Sequence, residues 1–202
     1  SDNTDAVERV KIQYGTSYVY PISSMGSHVS ASPNHQVFRN TSLEMRGNVA
    51  YFGTFGYELD ISKLPEEELE MMKEQIRFMK QHRKMIQQGV FYRLKSPFEG
   101  NNSAWQVISS DKREALMAYF RTLQPAQGKF ERIYLKGLEE TAQYEVRECF
   151  GARMDLGVHY GDELMYAGLS VSDCAAGVDG IAREQQGDFF SRLFYVKKVE
   201  DR

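Results

Sequence analysis

The spacing of apolar residues changes period near residue 95, and no single kind of secondary structure satisfies both patterns. Before that point, apolar positions three and four residues apart alternate with short apolar stretches. After it, short Tyr, Phe, Val and Leu runs alternate with Gly, Asp and Asn punctuation. The chain therefore reads as α/β over 1–95 and all-β over 96–202.

The strongest element of the first part is a helix over 65–88. Pro65 suits a first turn, and Glu66, Glu67 and Glu68 complement the helix dipole. Leu69, Met72, Ile76 and Met79 share one face, which Met71, Phe78 and Met85 widen. Lys80, Arg83 and Lys84 load the far end, and Gly89 suits a left-handed cap. At this spacing the methionine stripe predicts core rather than a binding groove. A helix over 4–16 puts Val7, Val10 and Tyr14 on one face, and another is expected over 43–52. Residues 18–24 are β-prone, 25–40 read as a loop, and 53–60 as a short buried strand. This rhythm is that of repeated parallel βα units, whose chemistry sits beyond the carboxyl ends of the strands. Asp2, the 25–40 loop, Tyr57 and Asp60 are thereby expected on one rim.

The second part offers strands near 89–95, 103–109, 113–121, 130–136, 142–148, 162–170 and 189–199. Turn signals fall at Glu99-Gly100-Asn101-Asn102, Pro125-Ala126-Gln127-Gly128 and Tyr160-Gly161-Asp162. Even alternation over 113–120 and 143–147 predicts an antiparallel β-sandwich. It carries no catalytic signature, so its expected work is packing against the first part or a neighbouring subunit. Trp105, the only tryptophan, begins a β run and reads as core.

Composition excludes some classes of partner. A net charge of -3 and a pI near 5.9 argue against nucleic acid or an anionic membrane surface. No apolar run approaches the roughly 18 residues of a membrane span. Cys149 and Cys174 are too few for a disulfide scaffold and read as free thiols, which points to the cytoplasm. His28 and His35 stand seven apart without a third ligand, so no metal site is expected. Ser23, Ser24, Ser27 and Ser30 crowd His28 without a Gly-x-Ser-x-Gly elbow. Gly151, Gly157 and Gly161 lack phosphate-loop spacing, and Asp173 with Val178-Asp179-Gly180 fails as a calcium loop. No cofactor is expected.

The first residues, Ser1-Asp2-Asn3-Thr4-Asp5, run from an acidic polar segment straight into a helical pattern without an initiator Met. This reads as a piece of a longer protein. Asp2, Thr4 and Asp5 can cap the helix and complement its dipole. Alternatively, a carboxyl there can face a pocket.

As a set, several segments resemble the glycoside hydrolase family 36 α-galactosidases. Ser1-Asp2-Asn3-Thr4-Asp5-Ala6-Val7-Glu8-Arg9 is similar to that family's acid/base segment. Tyr20-Pro21, Met25-Gly26-Ser27-His28-Val29-Ser30, Pro33-Asn34-His35, Arg46 through Gly53, and Phe55-Gly56-Tyr57-Glu58-Leu59-Asp60 follow in order. Gly161-Asp162-Glu163-Leu164-Met165 and Gly168-Leu169 fit its C-terminal module. The resemblance spans nearly the whole chain. It implies that residues 1–95 are the last βα units of a (β/α)8 TIM barrel, from the end of strand six to helix eight. Residues 96–202 would then be the C-terminal antiparallel β-sandwich.

The resemblance also implies double displacement with retention, in which Asp2 is the general acid/base. Asp5, in the first helical turn, is left a capping or dipole role. The family's nucleophile lies in a Lys-x-Asp motif that nothing here matches, and its Cys-Ser-Gly-Gly-type substrate loop is also absent. This chain alone is therefore expected to be inactive. Further implications are an α-galactoside oligosaccharide as substrate, of melibiose or raffinose type, and a homotetramer. The alternatives are an α-N-acetylgalactosaminidase, a galactosyl-transferring relative, or a non-catalytic sugar-binding or docking module.

Overall fold

The computed structural model describes residues 2–126, 130–150, 154–171 and 187–200. Its first part runs α1 (Ala6–Thr16), β1 (Gly26–Ser30), α2 (Leu43–Ala50), β2 (Thr54–Glu58) and α3 (Glu66–Gln88). β1 and β2 pair in parallel, from Gly26 opposite Thr54 to Ser30 opposite Glu58. β1 falls inside the stretch expected to be a loop. The β-prone 18–24 makes no strand, only a helical turn at Ile22–Ser24. Gly, Ser and His are weak strand formers, so propensity pointed elsewhere. Pairing with β2 and burial of Ser27 and Val29 decided the outcome.

α3 buries Met72, Met79 and Met85, as its periodicity predicts, and Ile86 besides, while Leu69 and Ile76 of the expected face are half-buried. Pro65 sits one position before the helix, as its N-cap, rather than in the first turn. Gly89 is not a left-handed cap: its φ is -77° and its ψ 175°. A Cβ there would lie 2.4 Å from the Ile108 carbonyl oxygen and 2.5 Å from that of Met85. Glycine is required by a close approach of backbones, not by handedness.

Beyond Gly89 lie β3 (Val90–Lys95), β4 (Asn102–Ile108), β5 (Glu114–Arg121), β6 (Arg132–Ile133), β7 (Gln143–Glu148), β8 (Asp155–Tyr160), β9 (Leu169–Ser170) and β10 (Phe190–Lys198). Six of them form one antiparallel sheet in the order β3-β4-β5-β10-β7-β8, and β6 pairs with β9. β3 hydrogen-bonds to β4 from Val90 opposite Ile108, so the change of architecture comes at Gly89 rather than at 95. The strand expected over 162–170 is instead a helical turn, Glu163–Ala167, followed by the short β9. Asp162 starts that turn by accepting the Glu163 N–H. β8 escaped notice because Asp155, Gly157 and His159 dilute its β propensity. Gln127, Gly128, Gly151, Asp173, Cys174 and 178–180 lie outside the described residues. No helix of the described residues is long and apolar enough to cross a membrane.

The middle strands of the six-stranded sheet, β4, β5 and β10, are buried on both faces along most of their length. On β5, Leu116, Ala118 and Phe120 face a core shared with Val7, Val10, Met45 and Ile86 of the helices. Ala115, Met117 and Tyr119 face a second core with Tyr144, Val146 and Leu164. The period-two pattern of 113–120 therefore alternates between two cores, not between core and water. In β7 it separates exposed from buried positions, as expected. Trp105 is fully buried between Phe52, Phe91 and Phe120.

Polar groups also cross between the two parts. The buried Asn48 amide donates to Ser191 Oγ at 2.9 Å. Arg93 donates to the Ser17 carbonyl at 2.9 Å and lies 4.1 Å over the Tyr18 ring. Within the sheet itself, Glu148 of β7 and Arg192 of β10 form a buried two-point ion pair of 2.6 and 3.1 Å. Cys149 is a free thiol whose pKa burial pushes up to about 12.

Glu44, in the first turn of α2, is pushed up to about 7, first by burial and then by the charge of Glu148, against the pull of Arg192. Its ordinary value is 4.5, so the folded protein holds this proton more tightly than the unfolded chain does. Stability from this group is therefore full below about 4.5 and lost as the pH rises through about 7. Glu44→Gln in the intact protein is expected to raise Tm at pH 8 more than at pH 5. Equal shifts at both pH values would contradict the assignment.

Candidate active-site cleft

α1 begins where Asp5, with extended backbone, accepts the Glu8 N–H through its carboxylate at 3.0 Å. Asp5 is buried, and the Arg39 guanidinium pairs with the same oxygen. Of the acidic residues considered as caps, the cap is thus Asp5. Its backbone N–H is held by Asn3 Oδ1 at 2.9 Å. Asp2 lies outside this arrangement, exposed, and borders a cleft of about 780 Å³.

The cleft runs along α1 and the outward face of the parallel pair. Asp2, Asn3, Arg9, His28 and Glu58 bring its polar groups together. His28 and Glu58 share one face because strand side chains alternate, and the register sets His28 beside Gly56. A Cβ on Gly56 would lie 2.8 Å from the His28 ring, so glycine makes room for the imidazole. His28 Nδ1 stands 3.6 Å from Glu58 Oε2. Arg9 donates to the Gly26 carbonyl at 2.5 Å, and burial lowers its pKa. Beneath, the buried Gln13 accepts from Ser27 Oγ at 2.8 Å and donates to the Val49 and Phe52 carbonyls. That bridge fixes α1 against β1 and the end of α2. The cleft is therefore rigidly floored, with a carboxyl at its edge that can exchange protons with a bound molecule.

Not all expected rim residues gather here. Tyr57 turns into the helical layer, where its hydroxyl donates to Gln75 Oε1 at 2.9 Å. Asp60 caps the turn Ile61–Lys63 by accepting from Ser62. His35 is exposed and does not line the cleft with His28. Among the described residues, no group of three His, Cys, Asp or Glu side chains is placed to hold a metal ion. Sequence reasoning passed over Glu58 as a site residue, because at the exposed end of β2 no burial signal marks it. It also passed over Arg9 and Gln36, whose partners are 17 and more than 30 residues away.

Residues 1–89 match the Melibiase family model, and 102–196 match that of the glycosyl hydrolase family 36 C-terminal domain. The chain is 52% identical over 200 residues to alpha-galactosidase AgaA of Geobacillus stearothermophilus, covering 99% of this chain and 25% of that protein. It is 41% identical over 202 residues to alpha-galactosidase Mel36A of Lactobacillus acidophilus, covering 98% of this chain and 25% of the relative. The crystal structure of an AgaA variant in complex with raffinose superposes with a TM-score of 0.87 at 51% identity, over 98% of this chain and 25% of that one. The alpha-galactosidase from Lactobacillus brevis superposes with a TM-score of 0.88 at 43% identity, over 100% of this chain and 26% of that one. The chain spans about a quarter of the length of the curated relatives it matches. With both of its parts matched in order, the chain belongs to glycoside hydrolase family 36.

Proposed function

We propose that this chain is the C-terminal portion of a retaining α-galactosidase that hydrolyses terminal α-galactosyl residues of melibiose- and raffinose-type oligosaccharides. Asp2 is its general acid/base, and the nucleophile lies elsewhere in the whole protein. The observation that carries this reading is the placement of Asp2: exposed on the cleft, outside the helix cap, while Asp5 supplies that cap. The similarity to alpha-galactosidases, one of them in complex with raffinose, supplies the substrate class. In such a site Asp2 protonates the leaving glycosidic oxygen, then removes a proton from the water that releases galactose.

The same proposal makes α1 to α3 the closing βα units of a (β/α)8 barrel. It makes the sheets beyond Gly89 the C-terminal sandwich. The parallel pair with α2 between its strands, and the second layer formed by β6 and β9, support that division. A homotetramer follows from the family resemblance alone. A cytoplasmic enzyme accords with the free thiol of Cys149. The test is hydrolysis of p-nitrophenyl α-galactoside by the intact protein carrying this chain. Release of galactose with its α configuration is expected; no hydrolysis would overturn the substrate assignment.

A further inference from the structure

Residues 2–5 form no regular structure, yet the loop between β1 and α2 ties them down at several points. Gln36 Oε1 accepts the Thr4 N–H at 3.2 Å, and Gln36 Nε2 donates to the Asp2 carbonyl at 3.1 Å. Those two backbone groups flank Asn3, one on the residue before it and one on the residue after. They are the pair that a residue of a parallel neighbouring strand engages. The Gln36 side-chain amide thus acts as one more rung of a parallel ladder, offered by a loop.

Gln36 is itself held in place. Its N–H donates to Asn34 Oδ1 at 2.9 Å, and the Val37 N–H donates to the same oxygen at 3.3 Å. Asn34 is buried, with 3% of its surface exposed, and its Nδ2 donates to Thr4 Oγ1 at 3.0 Å. Ser30 Oγ, at the end of β1, donates to the Thr4 carbonyl at 2.7 Å. The loop closes on Asn34 through the Phe38 N–H to its carbonyl (2.8 Å) and its own N–H to the Arg39 carbonyl (2.9 Å).

We propose that Gln36, held by Asn34, is a positioning residue that sets the direction of the Asp2 carboxyl. The inference rests on the reading of Asp2 as the acid/base. Fixing the carbonyl of residue 2 and the N–H of residue 4 removes backbone freedom on either side of Asn3. The carboxyl of Asp2 then stays within the small range that proton transfer to a glycosidic oxygen demands. The helix start does not depend on this clamp, because Arg39 and the Glu8 N–H anchor Asp5 separately. Gln36 is also exposed, so its replacement leaves no buried cavity.

The test is Gln36→Met in the intact enzyme, which keeps the length of the side chain and removes both hydrogen-bonding groups. kcat/KM is measured for raffinose and for a series of aryl α-galactosides of graded leaving-group pKa, beside wild type and Asp2→Ala. The clamp predicts a loss of roughly 10–100-fold on raffinose, a loss that shrinks as the leaving group improves, and an unchanged Tm. A uniform loss across the series, or no loss on raffinose, overturns it. If Asp2→Ala shows the leaving-group dependence and Gln36→Met does not, the clamp falls and the acid/base reading stands. If Asp2→Ala lacks that dependence, the acid/base reading falls first and the clamp with it.

Discussion

Replacing Asp2 by Ala in the intact enzyme is expected to lower kcat/KM for raffinose by about 100- to 10,000-fold. For an aryl galactoside with an acidic phenol, the loss in kcat/KM is expected to stay under about tenfold. The difference follows from the two steps of a retaining mechanism. kcat/KM reports the step that breaks the glycosidic bond. A sugar alkoxide needs a proton to leave, whereas an acidic phenolate does not. On the proposed assignment, the second step needs Asp2 as a base whatever the first leaving group was. With activated substrates kcat should therefore fall while kcat/KM holds, and the galactosyl-enzyme should accumulate. Pre-steady-state release of phenol as a burst would show it. Equal losses on both substrates would assign Asp2 to binding or structure instead.

The largest effect on stability is expected at the buried pair between β7 and β10. Arg192 meets both oxygens of Glu148 at 2.6 and 3.1 Å, and both side chains are nearly inaccessible to water. Arg192 also donates to the Val171 carbonyl at 3.3 Å. Arg192→Met strips Glu148 of this compensating charge in a site with little water, and Glu44 lies close enough for the two carboxyls to repel. The expected cost is about 3–5 kcal/mol, because removing one partner leaves a buried charge without its counter-charge. Adding Glu148→Leu should recover part of that loss, since the double replacement leaves no charge behind. Urea denaturation of wild type and the two variants checks this. A single variant as stable as wild type would show that the pair contributes little.

How much of this was legible in the sequence depended on the range over which each feature is determined. α3 declared itself because 23 residues repeat one helical pattern behind three glutamates. β1 did not, because Gly26, Ser27 and His28 are poor strand formers and the strand exists through its pairing with β2 and the burial beneath it. β5 and β10 were found because their runs are long and apolar. Which core each side chain of β5 enters could not be read, since both faces are apolar. Asp5 as a helix cap follows from local chemistry, and the structure places it there. The βα rhythm puts Asp2 on a rim, where a carboxyl can cap the helix or face a pocket; the choice of Asp2 as an acid/base was reached only through the family resemblance. Gln36 was hidden because its partners Asp2 and Thr4 lie 34 and 32 residues away.

The shared core also bears on how the chain folds. Val7, Val10, Met45 and Ile86 pack with Trp105, Leu116, Phe120 and Leu193 in one cluster. The helices of the first part thus complete their burial on the sheet of the second, which accounts for packing as the work of the β-rich part.

The most direct test of the central claim is azide rescue of Asp2→Ala in the intact enzyme, with the product identified by NMR. An acid/base variant still forms its galactosyl-enzyme from an activated substrate, and azide needs no base to attack it. Turnover of p-nitrophenyl α-galactoside is therefore predicted to rise with azide concentration and to yield α-galactosyl azide. No acceleration, or a product of β configuration, would contradict the assignment of Asp2 as the general acid/base.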